Sequence, residues 1–104
     1  MRDFIKKQVS DMFKCYKMDI RGALLDKIAE VVEVLLKKSL PVVYGPLREG
    51  GFLIRVYTDN PDEALKIIEK ELPVVDVTYK AKDRELTAVI SLHNKPRLST
   101  VPVG

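Results

Sequence analysis

The stretch PVVYGPLREGGFLIRVYTDNPDEALKIIEKELPVVDVTYKAKDRELTAVISL, residues 41–92, decides the fold. Val42-Val43-Tyr44 starts a strand behind Pro41, and Gly45-Pro46-Leu47-Arg48-Glu49-Gly50-Gly51 turns the chain. From Phe52 to Thr58 the pattern alternates, with Phe52, Ile54 and Val56 on one face and Leu53, Arg55 and Tyr57 on the other. Asn60-Pro61-Asp62-Glu63 marks a helix start: Asn60 can cap, Pro61 suits the first turn, and Glu63 completes a capping-box-like pattern. That helix buries Ala64, Ile67, Ile68 and Leu72 and stops at Pro73. Val75, Val77 and Tyr79 then alternate with Val74, Asp76, Thr78 and Lys80. After the charged turn Lys80–Arg84, Leu86, Ala88, Ile90 and Leu92 alternate with Glu85, Thr87, Val89 and Ser91. One continuously apolar face and one mixed face are what an antiparallel sheet with helices on one side requires.

The topology follows from connection rules. The strand–helix–strand unit over 52–79 forms a right-handed crossover between two parallel strands. The last strand is joined to residues 74–80 by a short turn, so it runs antiparallel to them and slots between the two parallel strands. The expected order across the sheet is 42–44, 52–58, 85–92, 74–80. This resembles a ferredoxin-like sandwich whose first strand has moved to the carboxy terminus, a likeness of architecture that carries no function. The fold class is α+β, a two-layer sandwich with a four-stranded antiparallel sheet and elements in the order ααββαββ. It places the Gly45–Gly51 turn and the exit from His93 to Arg97 at one end of the sheet, so that Arg48, His93, Lys95 and Arg97 can cluster.

Upstream, residues 19–40 carry two adjacent apolar rows at helical spacing: Ile20, Leu24, Ile28, Val31 and Leu35, and beside them Leu25, Ala29, Val32 and Leu36. So wide a face exceeds what a helix lying alone on a sheet buries, and something must cover the second row, either the amino-terminal helix or another subunit. Glu33 and Lys37 stand at i, i+4, a favourable ion-pair spacing. Pro41 ends the run. Residues 2–18 place Phe4, Ile5, Val9, Met12, Phe13 and Tyr16 along one helical face, with Arg2, Lys6, Lys7, Lys14 and Lys17 largely outside it. The domain reading is an amphipathic helix over 1–18, a single α+β domain over 19–95 and an irregular tail over 96–104.

Composition narrows the classes. At 104 residues the chain makes one domain, and its 46% apolar content excludes a disordered chain. No apolar run approaches the roughly 20 residues that cross a bilayer, and the amino terminus has charges without the apolar core of a secretory signal. The single cysteine, Cys15, cannot form an internal disulfide, which suits a reducing, cytoplasmic compartment. Charged residues reach 32% while Gln8, Asn60 and Asn94 are the only side-chain amides, a compositional hint of a thermophilic host. The formal net charge of +3 is too modest to imply nucleic acid by itself.

No pattern names a reaction. A Cys15–His93 couple needs the two adjacent and the thiol activated; a packed cysteine and a surface imidazole are the expectation. No spacing suggests a zinc site, and Asp59, Asp62 and Glu63 are accounted for by the positive end of the helix they open. Three surfaces remain. Tyr44, Arg55, Tyr57, Thr78, Lys80 and Thr87 on the open sheet face could stack bases and hold phosphates, against the adverse charges of Asp76 and Glu85. Lys6, Lys7, Lys14 and Lys17 form a basic side on the first helix. The glycine-rich loop, with Arg48, Gly50, Gly51, Lys95 and Arg97, could close on an anion, although a hairpin needing glycine to turn explains it as well. The expectation is a non-catalytic binding or assembly module without cofactor or metal, dimeric, with nucleic acid as leading partner through Lys6, Lys7, Lys14, Lys17, Arg55, Tyr57 and Lys80. The alternatives are a small-molecule-sensing regulatory dimer and a structural subunit of a larger complex.

Overall fold

A computed structural model describes residues 1–92. Its elements are α1 (Arg2–Cys15), α2 (Gly22–Lys37), β1 (Val42–Pro46), β2 (Gly51–Tyr57), α3 (Pro61–Glu71), β3 (Val74–Lys80) and β4 (Glu85–Ser91). The four strands form one sheet in the order β1-β2-β4-β3, every neighbouring pair antiparallel. The last strand therefore lies inside the sheet, between β2 and β3, and the three helices pack on one face. Among the described residues no helix is long and apolar enough to cross a membrane.

The core lies between the layers. Phe52, Ile54 and Val56 from β2 and Leu86, Ala88 and Ile90 from β4 are fully buried, which is the alternation of both strands made physical. Ile28, Ala29, Val31, Val32 and Leu35 of α2 and Ala64 and Ile68 of α3 cover them. The second apolar row of α2 is covered by α1, which buries Ile5, Val9 and Phe13; Phe13 stacks on Phe52 with ring centroids 5.9 Å apart. Phe4 and Tyr16, expected in that stripe, are exposed at 69% and 49%. Residues at i, i+4 and i+8 hold the narrow contact line, and Phe4, one position before Ile5, is turned about 100° away from it.

Both upstream helices are shorter than their apolar patterns. α1 ends at Cys15 because Lys17 adopts φ 55°, with Met18 N–H on the Phe13 carbonyl and Lys17 N–H on that of Lys14. α2 ends the same way before Pro41: Ser39 at φ 64° lets Leu40 N–H reach Leu35 O and Ser39 N–H reach Leu36 O. These are Schellman endings built on residues other than glycine. Glu33 does not pair with Lys37 but takes Arg2 of α1 at 2.7 Å, tying the two helices together. At α3, Asn60 caps as expected, its Oδ1 accepting from Glu63 N–H at 3.2 Å. Glu63 turns outward to Lys38 at 3.4 Å instead of closing the box.

One strand departs from the simple alternation. The register between β3 and β4 shifts between Val74 and Asp76, so Val74 stands opposite Ile90 and Asp76 opposite Val89. Val75 is the extra residue of a bulge and is 64% exposed instead of lining the core.

Candidate docking surface

The face of the sheet away from the helices is laid out by the registers. At one end Tyr57, Glu85 and Lys80 stand side by side, followed by Val43, Arg55, Thr87 and Thr78. Toward the other end come Leu53, Val89 and Asp76, then Gly51 and Ser91. The face thus carries its charged network at one end and most of its apolar side chains toward the other, where Asp76 and Ser91 also stand. The bulge adds Val75 to the apolar end, and the hairpin adds Leu47. Leu47, Gly51, Val75 and Val89 line a shallow hollow of about 290 Å³. A Cβ on Gly51 would stand 3.2 Å from Ile90 O and 3.4 Å from the Leu47 side chain, so glycine keeps the hollow open.

The hairpin that builds this end is local chemistry. Leu47 N–H bonds Gly51 O at 2.7 Å, Gly50 N–H bonds Leu47 O at 3.0 Å, and Gly50 sits at φ 97°. This is a type I turn followed by a left-handed residue, in which Gly50 serves the backbone.

Part of the polar end is paired within the sheet. Arg55 Nε lies 3.0 Å from Glu85 Oε2 and donates to Thr87 Oγ1 at 3.3 Å. A guanidinium committed to a neighbouring carboxylate has less to offer a phosphate. Tyr57 and Lys80 flank Glu85 across the strands. Tyr44 is not on this face: it stands opposite Ile54, stacks on Phe52 at 6.4 Å and donates its hydroxyl to Gln8 of α1. Burial pushes its phenol up from the ordinary value.

The basic residues of α1 lie on the helix layer, on the opposite side of the molecule from Arg55, Tyr57 and Lys80. Lys6 pairs with Asp26 at 2.7 Å, and that hydrogen bond raises its pKa. Lys7 pairs with Asp11 at 3.2 Å. Lys14 and Lys17 are exposed at the end of α1. The six cations and one tyrosine assigned to a nucleic acid are thus divided between two layers, and three of the cations are already in ion pairs. Arg48 faces the end of α1, bordering a hollow with Cys15, Tyr16 and Met18. Cys15 itself is exposed, against the expectation of a packed thiol, because it lies off the Ile5–Val9–Phe13 line. His93, Lys95 and Arg97, and with them the cluster proposed around Arg48, lie outside the described residues. Asp59 pairs with Arg84 at 3.2 Å across the far end of the sheet. Among the described residues no group of three His, Cys, Asp or Glu side chains is placed to hold a metal.

Leu47, Leu53, Val75 and Val89 were not singled out from the sequence. The signal was present in Leu53 and Val89, apolar residues at positions whose alternation assigns them to the mixed face. No protein-family model, curated protein or solved structure matches the chain.

Proposed function

We propose that this chain is a small non-catalytic binding module whose working surface is the uncovered face of its sheet, and that the ligand there is a protein. The observation that carries this is the grading of that face: Leu47, Leu53, Val75 and Val89 together at one end, and the Arg55–Glu85 ion pair at the other. Contiguous apolar surface rimmed by polar groups is the chemistry of protein docking sites. A strip for single-stranded nucleic acid instead needs stacking rings beside uncommitted cations. Here Tyr44 belongs to the core side and Arg55 is held by Glu85, which leaves Tyr57 and Lys80 as the ring and cation of that set on the face.

The test places a photo-crosslinking residue at Leu53 and, separately, at Lys66 on α3, in cells of the source organism. Capture of one defined protein from Leu53, absent from Lys66, supports the proposal. Equal capture from both, or capture of RNA or DNA from Leu53, overturns it. A parallel titration with single-stranded RNA and duplex DNA at two salt concentrations gives no salt-dependent binding if the proposal holds.

A further inference from the structure

The two edges of the sheet are not alike. The β1 edge is bracketed by Pro41 and Pro46, and α1 holds its middle through the Tyr44–Gln8 hydrogen bond. Prolines and packed helices are common guards of a sheet edge. β3 ends the strand order on the other side, so among the described residues its outer edge has no strand beside it. Beyond the bulge, Asp76 to Lys80 is regular, paired residue for residue with Val89 to Glu85 on β4.

We propose that two copies of this chain pair edge to edge through β3, antiparallel about Thr78, to make one continuous sheet of twice the width. The sequence Asp76-Val77-Thr78-Tyr79-Lys80 is self-complementary in that register. Asp76 faces Lys80 of the second copy, Val77 faces its Tyr79, and Thr78 faces its Thr78. Opposite charges, aromatic with β-branched residues, and threonine with threonine are the cross-strand pairs that stabilise antiparallel strands. The pairs also agree in face. Asp76, Thr78 and Lys80 stand opposite Val89, Thr87 and Glu85 and so lie on the open side; Val77 and Tyr79 stand opposite Ala88 and Leu86 and lie on the helix side.

A two-fold axis perpendicular to the sheet preserves those faces and keeps both helix layers on one side. Exposure points the same way. Val77 is 38% exposed although it shares the helix side with buried Ala88 and Leu86. The second copy's Tyr79, whose hydroxyl is held by its own Thr58 carbonyl, would stand directly opposite Val77 and cover it with its ring edge. Charges on an edge strand ordinarily repel a newcomer. Here they are of opposite sign and symmetric about Thr78, so they admit one partner, an identical strand in one register. The docking surface runs from Leu53 on β2 across Val89 on β4 and reaches this edge strand only at Val75; the mass of the purified chain is measured with no docking partner present, so failure of the docking proposal leaves this one standing, and the reverse.

The test uses the full chain, with mass measured by light scattering or sedimentation over a range of concentrations. The expected result is a dimer that Asp76→Lys weakens roughly tenfold or more, since two symmetric pairs change from attraction to repulsion. The double substitution Asp76→Lys with Lys80→Asp restores both pairs and the dimer. Register is read by oxidative crosslinking in a Cys15→Ser background. Thr78→Cys places the two sulfurs beside the axis and links the copies, whereas Asp76→Cys separates them by about 14 Å at ~3.4 Å per residue and does not. A monomer at every concentration, a dimer indifferent to both charge variants, or equal crosslinking at the two positions would overturn the proposal.

Discussion

Two phenylalanines on one helix provide a sharp test of how α1 belongs to the fold. Phe13 is 1% exposed and stacked on Phe52, while Phe4 is 69% exposed on the same helix. A buried aromatic side chain removes about 150–250 Å² from water, which at ~25 cal/mol/Å² is an upper bound of roughly 4–6 kcal/mol. Truncation also leaves a cavity between α1 and the sheet, and Phe→Ala changes in cores cost about 3–5 kcal/mol. A domain of this length has a total stability of roughly 5–15 kcal/mol, so Phe13→Ala removes a large fraction of it. Urea unfolding followed by circular dichroism should give a loss of about 3 kcal/mol or more. Melting should fall by roughly 12–25 °C, from about 4–8 °C per kcal/mol. Phe4→Ala should stay within about 0.5 kcal/mol of the parent. Equal losses at the two positions, or a Phe13→Ala loss below about 1 kcal/mol, would refute the packing of α1 against the sheet through Phe13 and Phe52.

Other consequences follow from single sites. Ser39 and Lys17 hold left-handed conformations that cost an ordinary residue about 1–2 kcal/mol, of which glycine's greater unfolded freedom returns part, so Ser39→Gly and Lys17→Gly should each raise stability by roughly 0.5–1 kcal/mol in urea titrations. Gly50→Ala, at φ 97°, should lower it by about 1 kcal/mol or more in the same assay. The hydrogen bond from Arg2 holds the Glu33 carboxyl below its ordinary pKa. A depressed folded pKa stabilises above the unfolded value of about 4.3 and loses that contribution as pH falls through the folded one. The stability gap between parent and Arg2→Ala should therefore be present at neutral pH and close on acidification, as measured by melting across a pH series. Tyr44 has the opposite sign: its raised phenol keeps its contribution below pH about 10 and loses it as pH rises through the folded value. Tyr44→Phe should remove that alkaline component from an ultraviolet titration and cost about 1 kcal/mol by leaving Gln8 without its donor.

The sheet order was readable because three observations agreed: the alternation of 52–58, the capped helix after it and the short turn before 85–92. Parity was not readable wherever alternation fails. Val42-Val43-Tyr44 is apolar throughout, so nothing in it says which side Tyr44 takes. The hairpin decides that, since closure between Leu47 and Gly51 puts Tyr44 opposite Ile54. Val74 and Val75 are equally mute, and the bulge between them moved an apolar side chain from the expected core to the open face. Ion-pair partners such as Glu85 for Arg55 and Arg2 for Glu33 depend on register and helix packing, which residue spacing along one element does not contain. The proposed docking surface stayed hidden for the same reason: its members come from the hairpin and three strands, and only the registers assemble them.

Adjacent residues on β4 offer the most direct test of the uncovered face. Ile90 is fully buried and Val89 lies on the open side. Ile90→Asp should abolish cooperative unfolding, because an unpaired carboxylate cannot be held in the core. Val89→Asp should keep the parent's circular dichroism and melt within a few degrees of it, yet eliminate capture of the protein crosslinked from Leu53. Loss of folding in Val89→Asp, or undiminished capture by it, would contradict the assignment of that face as the docking surface.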